Sequence, residues 1–455
     1  MHSRSVTSAG RVSANRRIFH ALGWVTAAGV LVKLVATGKE LVVADVFGRG
    51  NAIDAFVIAF LIPGLLVNLF AESMNQALIP TLVRVREQDG QGSAQELLSS
   101  AMRWSAGLLV CGAAGLGLVA RVVFPLVLRF PAEKLALTEH LFYGLLPVVL
   151  LAGLASNCTA VLNTEERFAV PALLPMVMPV AVIAAALGLS GRLGIWSLVV
   201  GNVAGALVHA VAVGWMMHRH GYAPALRWGG LWFGRRTAAL REVIGQYGPI
   251  LLSGLLASGG LLVDQGMAAT LRSGSVATLA YASRFTGVAM TLAGGALATA
   301  ITPYFAGMVA KREWNGCRHT LNTYARLAAV ASVPLALAMI LGSRWMIRLA
   351  FQHGAFHAGD TAAVAPVQAM YAIQLPFFVV SRVYYRYLLA IRRSRLILAC
   401  GGLNLALDVV LNLVLMRWMG VAGIALATSL WMVSTLVFLA YWSYKLLPEE
   451  NGVEL

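Results

Sequence analysis

The chain has 455 residues, 59% of them hydrophobic and only 12% charged, with a mean hydropathy of +0.76. A soluble globular chain carries about 25% charged residues, so too few charges remain here to cover a water-facing surface, and an ordinary soluble fold is excluded. The net charge of +16 does not point to nucleic acid, because the basic residues collect at the termini and in alternate connections, the positive-inside bias of a polytopic membrane protein.

Arg4, Arg11, Arg16 and Arg17 precede the first apolar stretch. That stretch runs on through Lys33 and Lys39 without a small-residue cleavage pattern, so 1–20 reads as a retained cytoplasmic tail. Apolar runs long enough to cross a core of about 30 Å follow one another. They predict spans near 21–46, 52–83, 100–128, 140–162, 168–189 and 193–217. A basic connection, 218–243, holds Arg219, Arg227, Arg235, Arg236 and Arg241. Further spans are predicted near 245–270, 276–309, 322–351, 362–391, 395–417 and 420–444, with 447–455 as a tail. In lipid each span must be a helix, because every backbone N–H and C=O needs an internal partner.

The expected fold is therefore an all-α polytopic membrane protein of about twelve transmembrane helices. It divides into an N-lobe, 21–217, a linker, 218–243, and a C-lobe, 244–446, with six spans in each lobe. Both termini are expected in the cytoplasm and the chain in a bacterial inner membrane, its basic side facing anionic headgroups. The stretch ALIPTLVRVREQDGQGSAQELLSSAMRW aligns weakly with AITPYFAGMVAKREWNGCRHTLNTYARL, matching Pro80 to Pro303 and Arg103 to Arg326. Even-numbered halves keep one orientation, which implies parallel repeats related by a pseudo-twofold axis, with substrate held between them. Prolines within the spans (Pro63, Pro147, Pro175, Pro179, Pro249, Pro334, Pro376) fit either tight packing or bent, movable helices.

Charges inside apolar spans are costly and usually face a cavity or a partner. The basic ones are Lys33, Lys39, Arg284 and Arg382; the acids are Asp54, Glu72, Asp264 and Asp408. Lys33 and Lys39 put two ammonium groups at different depths, roughly 9 Å apart along one helix axis. They either pair with Glu40, Asp45 or Asp54, or line a water-filled cavity with Arg284 that awaits an anion, ideally a diphosphate. No catalytic set emerges, and His353 and His357 lack a third ligand that would make a metal site. Cys111, Cys158, Cys317 and Cys400 read as buried apolar residues. With no Walker loop, energy would come from an H+ or Na+ gradient, the membrane potential or consumption of the product.

The stretch FGRGNAIDAFVIAFLIPGLLVNLFAESMNQALIPTL, Phe47 to Leu82, resembles the signature of the MurJ (MviN) lipid II flippase family, within the multidrug/oligosaccharidyl-lipid/polysaccharide exporter superfamily. VDQGMAATLRSGSVATLAYASR resembles that family's seventh and eighth helices, AFQHGAFHAGD its loop after helix nine, and LNTEERFAVPALLP its entry to helix five. The resemblance implies two six-helix lobes around a cationic cavity for the diphosphate-sugar head of an undecaprenyl lipid. It places substrate binding on Lys33, Lys39, Asp54 and Arg284, with Glu72, Asp264 and Arg382 as supporting charges. Two departures stand out: Lys33 and Lys39 replace arginines, and Val67 and Asn68 replace an arginine pair. The family usually has fourteen helices, whereas the reading here stops at twelve. An exopolysaccharide or O-antigen precursor therefore fits as well as lipid II, with membrane lipids, a glycan polymerase or glycosyltransferases as partners and no nucleic acid. The competing readings are a cation-coupled multidrug exporter, which would favour an acidic cavity, and a non-transporting scaffold of a glycan assembly complex.

Overall fold

The computed structural model describes residues 8–128, 130–163, 173–219 and 238–448. Most of the basic connection 218–243 and of the stretch 162–175 lies outside the described residues. Every described element is helical: α1 (Ser8–Phe47), α2 (Asn51–Val127), α3 (Ala132–Asn163), a 3-10 turn (Leu174–Met176), α4 (Val177–Leu193) and α5 (Trp196–Arg219). After the linker come α6 (Ala238–Ala269), α7 (Ser275–Ala310), α8 (Trp314–Leu341), α9 (Ser343–Phe351), α10 (Ala358–Ala372), α11 (Gln374–Ala390), α12 (Ser394–Met419) and α13 (Val421–Lys445).

The sequence pattern accounts for where these helices break. A straight helix of the 77 residues in α2 would be about 115 Å long, far more than a bilayer. It folds back at Gly90, whose φ of 84° and ψ of 176° suit glycine alone. Gly112 on the returning arm lies against Phe70 and Leu66 on the outgoing one. The connection expected between the second and third spans is therefore a tight turn inside one long helical hairpin. Its counterpart in the weak repeat takes the same form. α7 ends, Arg312 adopts φ 58°, and α8 returns so that Thr320 sits beside Met308. The expected tenth span is two helices, because Pro376 has no N–H to offer the carbonyl of Ala372, where α10 stops. The ninth breaks at Gly342 into α8 and the short amphipathic α9.

Nine stretches of the described residues are long and apolar enough to cross a bilayer, and one of them, Asn51–Leu126, contains both arms of α2. The other two expected spans coincide with α1 and α7, helical over 40 and 36 residues. Burial is inverted relative to a water-soluble protein. Leu341, Trp418 and Leu118 are 84%, 86% and 79% exposed, while Asp54 and Asp408 are 1% exposed. Apolar surface outward and charge inward is what lipid as solvent selects.

The chain divides into two compact units. The first comprises residues up to Val43, Ala59–Val123 and Thr138–Gly254. Its core joins Met74, Leu78 and Leu82 of the outgoing arm of α2, Leu97 and Leu98 of the returning arm, Val161 of α3, Val213 of α5, and Val243 and Tyr247 of α6. α4 and α5 cross closely, because a Cβ at Gly201 or Gly205 would meet the Cα of Val182 at 2.7 Å or of Met178 at 2.8 Å. Small residues four apart are how membrane helices bring backbones together. The second unit comprises Ala44–Ile58, Phe124–Leu137 and Leu255 onward. α11 is its central helix, packed on α7, α8 and α13, with Leu375, Val379, Val383, Tyr387 and Leu388 meeting Phe305, Leu321 and Leu439.

Candidate functional site

In the first unit, Lys33 is exposed on α1 and Lys39 is half-buried, its ammonium 2.8 Å from Glu40. At 100° per residue the two lysines lie about 120° apart around the helix, so they do not share a face. Lys39 already has its counter-charge, while Lys33 forms no ion pair among the described residues. Glu72 is exposed on α2 and accepts a hydrogen bond from the Gln76 side chain at 3.1 Å.

The second unit holds three polar assemblies. The first surrounds Asp54 in the opening turn of α2. Its Oδ2 accepts the Gly274 N–H at 2.6 Å and the Lys134 ammonium at 2.8 Å; its Oδ1 accepts the Ala277 N–H at 2.8 Å. The carboxylate thus caps α7, satisfying amides that the helix itself leaves unpaired, at the end where the macrodipole favours negative charge. Gly274, at φ 81°, turns the chain so that these amides converge. Asp54 was expected beside the substrate; here it is enclosed, and both its oxygens are occupied by protein donors. Arg49 extends the assembly, donating to Asp360 at 2.9 Å and Thr278 at 3.3 Å, while the Tyr281 hydroxyl donates to the Gly48 carbonyl at 3.0 Å. Sequence reasoning missed Lys134, which reads as one more charge in a connection, and the pairing of Arg49 with a residue more than 300 positions away.

The second assembly is a buried acid pair. Asp264 of α6 accepts the Asn412 amide at 2.7 Å and the Thr428 hydroxyl at 3.1 Å; Asn412 also donates to Asp408 at 3.3 Å. Asp408 and Asn412 lie one turn apart on α12, and Thr428 is on α13. Gly260, one turn before Asp264, leaves room for Asp408 Oδ2. Asp408 Oδ2 and Asn412 Oδ1 are enclosed without a hydrogen-bond partner. Two carboxylates, a carboxamide and a hydroxyl form a hard-oxygen set suited to a small cation or a proton. The orphaned oxygens fit that use, because buried acceptors left unpaired are costly. Asn412 carried no signal in the sequence beyond its one-turn spacing from Asp408, and Thr428 carried none.

The third comprises the arginines. Arg284 is half-buried on α7, nine residues into the helix and so roughly 14 Å along its axis. Arg382, also half-buried, stacks on Phe378 of its own helix α11, 4.4 Å from the ring centre. Helices α7 and α11 are in contact.

A family model described as "Lipid II flippase MurJ" matches residues 43–453. Among curated relatives, "Lipid II flippase MurJ" of Burkholderia cenocepacia is 26% identical over 370 residues, covering 79% of this chain and 70% of its own. A "Probable lipid II flippase MurJ" of Rhizobium meliloti is 26% identical over 426 residues, covering 89% and 78%. Among solved structures, "Lipid II flippase MurJ, inward closed conformation" superposes with a TM-score of 0.78 at 20% identity, over 93% of this chain and 88% of that one. An inward-facing multidrug resistance MATE family transporter superposes with a TM-score of 0.77 at 12% identity, over 91% and 94%. These structural likenesses establish a shared fold.

Proposed function

The chain belongs to the lipid II flippase MurJ family, and on that premise we propose that it carries a polyprenyl-diphosphate-linked saccharide from the inner to the outer leaflet of a bacterial cytoplasmic membrane. The observation that carries this reading is the family match over residues 43–453, on a chain whose apolar helices bear Lys33 and Arg284. A diphosphate is the part of such a lipid that cannot cross hydrocarbon unaided, and fixed cations are what offset its charge. The proposal assigns headgroup binding to Lys33 and Arg284, and gives Asp54 the task of holding the start of α7, the helix that bears Arg284. Both termini lie in the cytoplasm, and the chain acts as a transporter without chemistry of its own.

The buried set of Asp264, Asp408, Asn412 and Thr428 supports coupling to a monovalent cation, Na+ or H+. Such an ion would neutralise part of the charge of two adjacent carboxylates. Its binding can drive transport only through different affinities for the transporter's states. A glycan polymerase or glycosyltransferases would consume or supply the cargo.

The test is complementation of a bacterium depleted of its own lipid II flippase. Rescue of growth with precursor reaching the outer leaflet is the expected result. Accumulation of precursor inside, with the protein present in the membrane, rejects lipid II as cargo. The same assay in a host lacking its O-antigen flippase then separates the two glycan classes.

A further inference from the structure

α11 carries a second cationic feature that the headgroup assignment above does not use. Arg382 and Arg386 are one turn apart on this helix, and both are half-buried. The Arg382 guanidinium lies 4.4 Å from the Phe378 ring centre and 5.6 Å from that of Tyr385; the Arg386 guanidinium lies 5.9 Å from Tyr385. Neither has a carboxylate within 4.0 Å among the described residues. Arg386 Nε is enclosed without an acceptor. Aromatic faces offset part of the cost of such cations, but two like charges on adjacent turns repel.

Their depth argues against a simple reach to the surface. α11 ends at Ala390, which puts Arg386 about 6 Å and Arg382 about 12 Å from that end. Arg386 can extend to an interface, whereas Arg382 is laid against α7. A Cβ placed at Gly294 of α7 would lie 3.9 Å from Arg382 Cγ and 2.9 Å from the Phe378 ring, so the glycine makes space for this stack. Beyond the helix end the turn continues with Arg392, Arg393 and Arg395, all exposed. The result is a run of cations from the exposed turn into the wall of the second unit, and such a run concentrates anions toward its inner end.

We propose that Arg382 and Arg386, with Tyr385 and Phe378, form a docking station for the diphosphate of a lipid-linked cargo, separate from Lys33 and Arg284. The inference rests on the transport reading above, which puts this end of α11 at the cytoplasmic face, where cargo is made. Residues one turn apart have Cβ atoms roughly 5–6 Å from each other. That spacing lets one guanidinium fork engage each phosphoryl group of a diphosphate, and a single phosphodiester headgroup would use only one of them. The planar forks also explain why arginine stands at both positions.

The experiment measures binding of radiolabelled farnesyl diphosphate to the full chain in phosphatidylcholine nanodiscs. The R382Q/R386Q double variant is expected to weaken binding at least about tenfold, and R382K/R386K, which keeps charge and packing, about threefold. R392Q/R393Q is expected to slow association with little change in affinity. Phosphatidylglycerol added to the nanodiscs should not displace the probe at equal concentration. Unchanged affinity in both double variants overturns the inference, and so does displacement by phosphatidylglycerol, which marks an ordinary phospholipid contact. Loss of binding in Arg284→Gln with both α11 variants unaffected overturns it while leaving the transport reading intact. A wild-type chain that binds no farnesyl diphosphate at all sinks both. Matching thermal midpoints for R382K/R386K and wild type separate lost binding from lost folding.

Discussion

Asp54 shows how one side chain can hold several segments together. Its carboxylate takes two backbone N–H groups and an ammonium, so removing it takes a charged acceptor from two buried amides and from Lys134. Asp54→Ala is expected to cost about 3–5 kcal/mol, read as a lower unfolding midpoint in detergent. Exchanging the charges, Asp54→Lys with Lys134→Asp, should not restore stability, because a lysine cannot accept from Gly274 and Ala277. Recovery on exchange would mean that the ion pair alone matters. Lys39 and Arg284, both substrate-binding candidates from the sequence, differ in a similar way. Lys39 is already paired with Glu40, so Lys39→Gln should be mild, whereas Arg284→Lys should impair flipping through loss of the planar fork. Measured at matched expression, a dead Lys39→Gln beside a fully active Arg284→Lys would contradict that ranking. If the acid pair binds Na+, wild type should gain about 2.7 kcal/mol of stability at a hundredfold excess over Kd. Asp264→Asn should abolish that gain. Salt-independent melting of the wild type would argue for a proton instead.

At the scale of elements, the sequence located the helices well and their joints poorly. Apolar length is set by the bilayer, so each expected span finds a helix. Joints depend on single residues whose effect is local. Nothing in the apolar pattern distinguishes a long polar loop from the turn at Gly90, or shows that Pro376 divides the tenth span while Pro147 and Pro334 sit inside unbroken α3 and α8. The same limit applied to the polar assemblies. Asp54, Asp264 and Arg382 were visible because charge in an apolar run is conspicuous. Lys134, Asn412 and Thr428 were not, because they are polar residues in ordinary places whose meaning comes from tertiary contact. The crossing of α4 and α5 gives an element-scale test. Gly205→Leu would drive a side chain into the backbone at Met178 and should cost about 1–3 kcal/mol, whereas Gly214→Leu, with open space around it, should be close to neutral. Equal effects would show that the close approach is unimportant.

For the whole molecule, the distribution of charge carries two separate messages. A basic excess in alternate connections is what orients a polytopic chain, and charges within spans are costly enough to call for a partner or a cavity. Cysteines introduced between residues 218 and 243 should therefore react with impermeant reagents only from the cytoplasmic side. Labelling from outside would invert the topology and move the proposed docking station of α11 to the wrong leaflet. The central claim, that the chain flips a lipid-linked diphosphate saccharide, is tested most directly in proteoliposomes. The chain is reconstituted with a fluorescent polyprenyl-diphosphate saccharide, and the fraction reachable by an external quencher is followed over time. The account predicts protein-dependent exchange that disappears in Lys33→Ala and Arg284→Ala and that a cationic drug does not inhibit. Exchange no faster than in protein-free vesicles, or transport of the drug in place of the lipid, would contradict it.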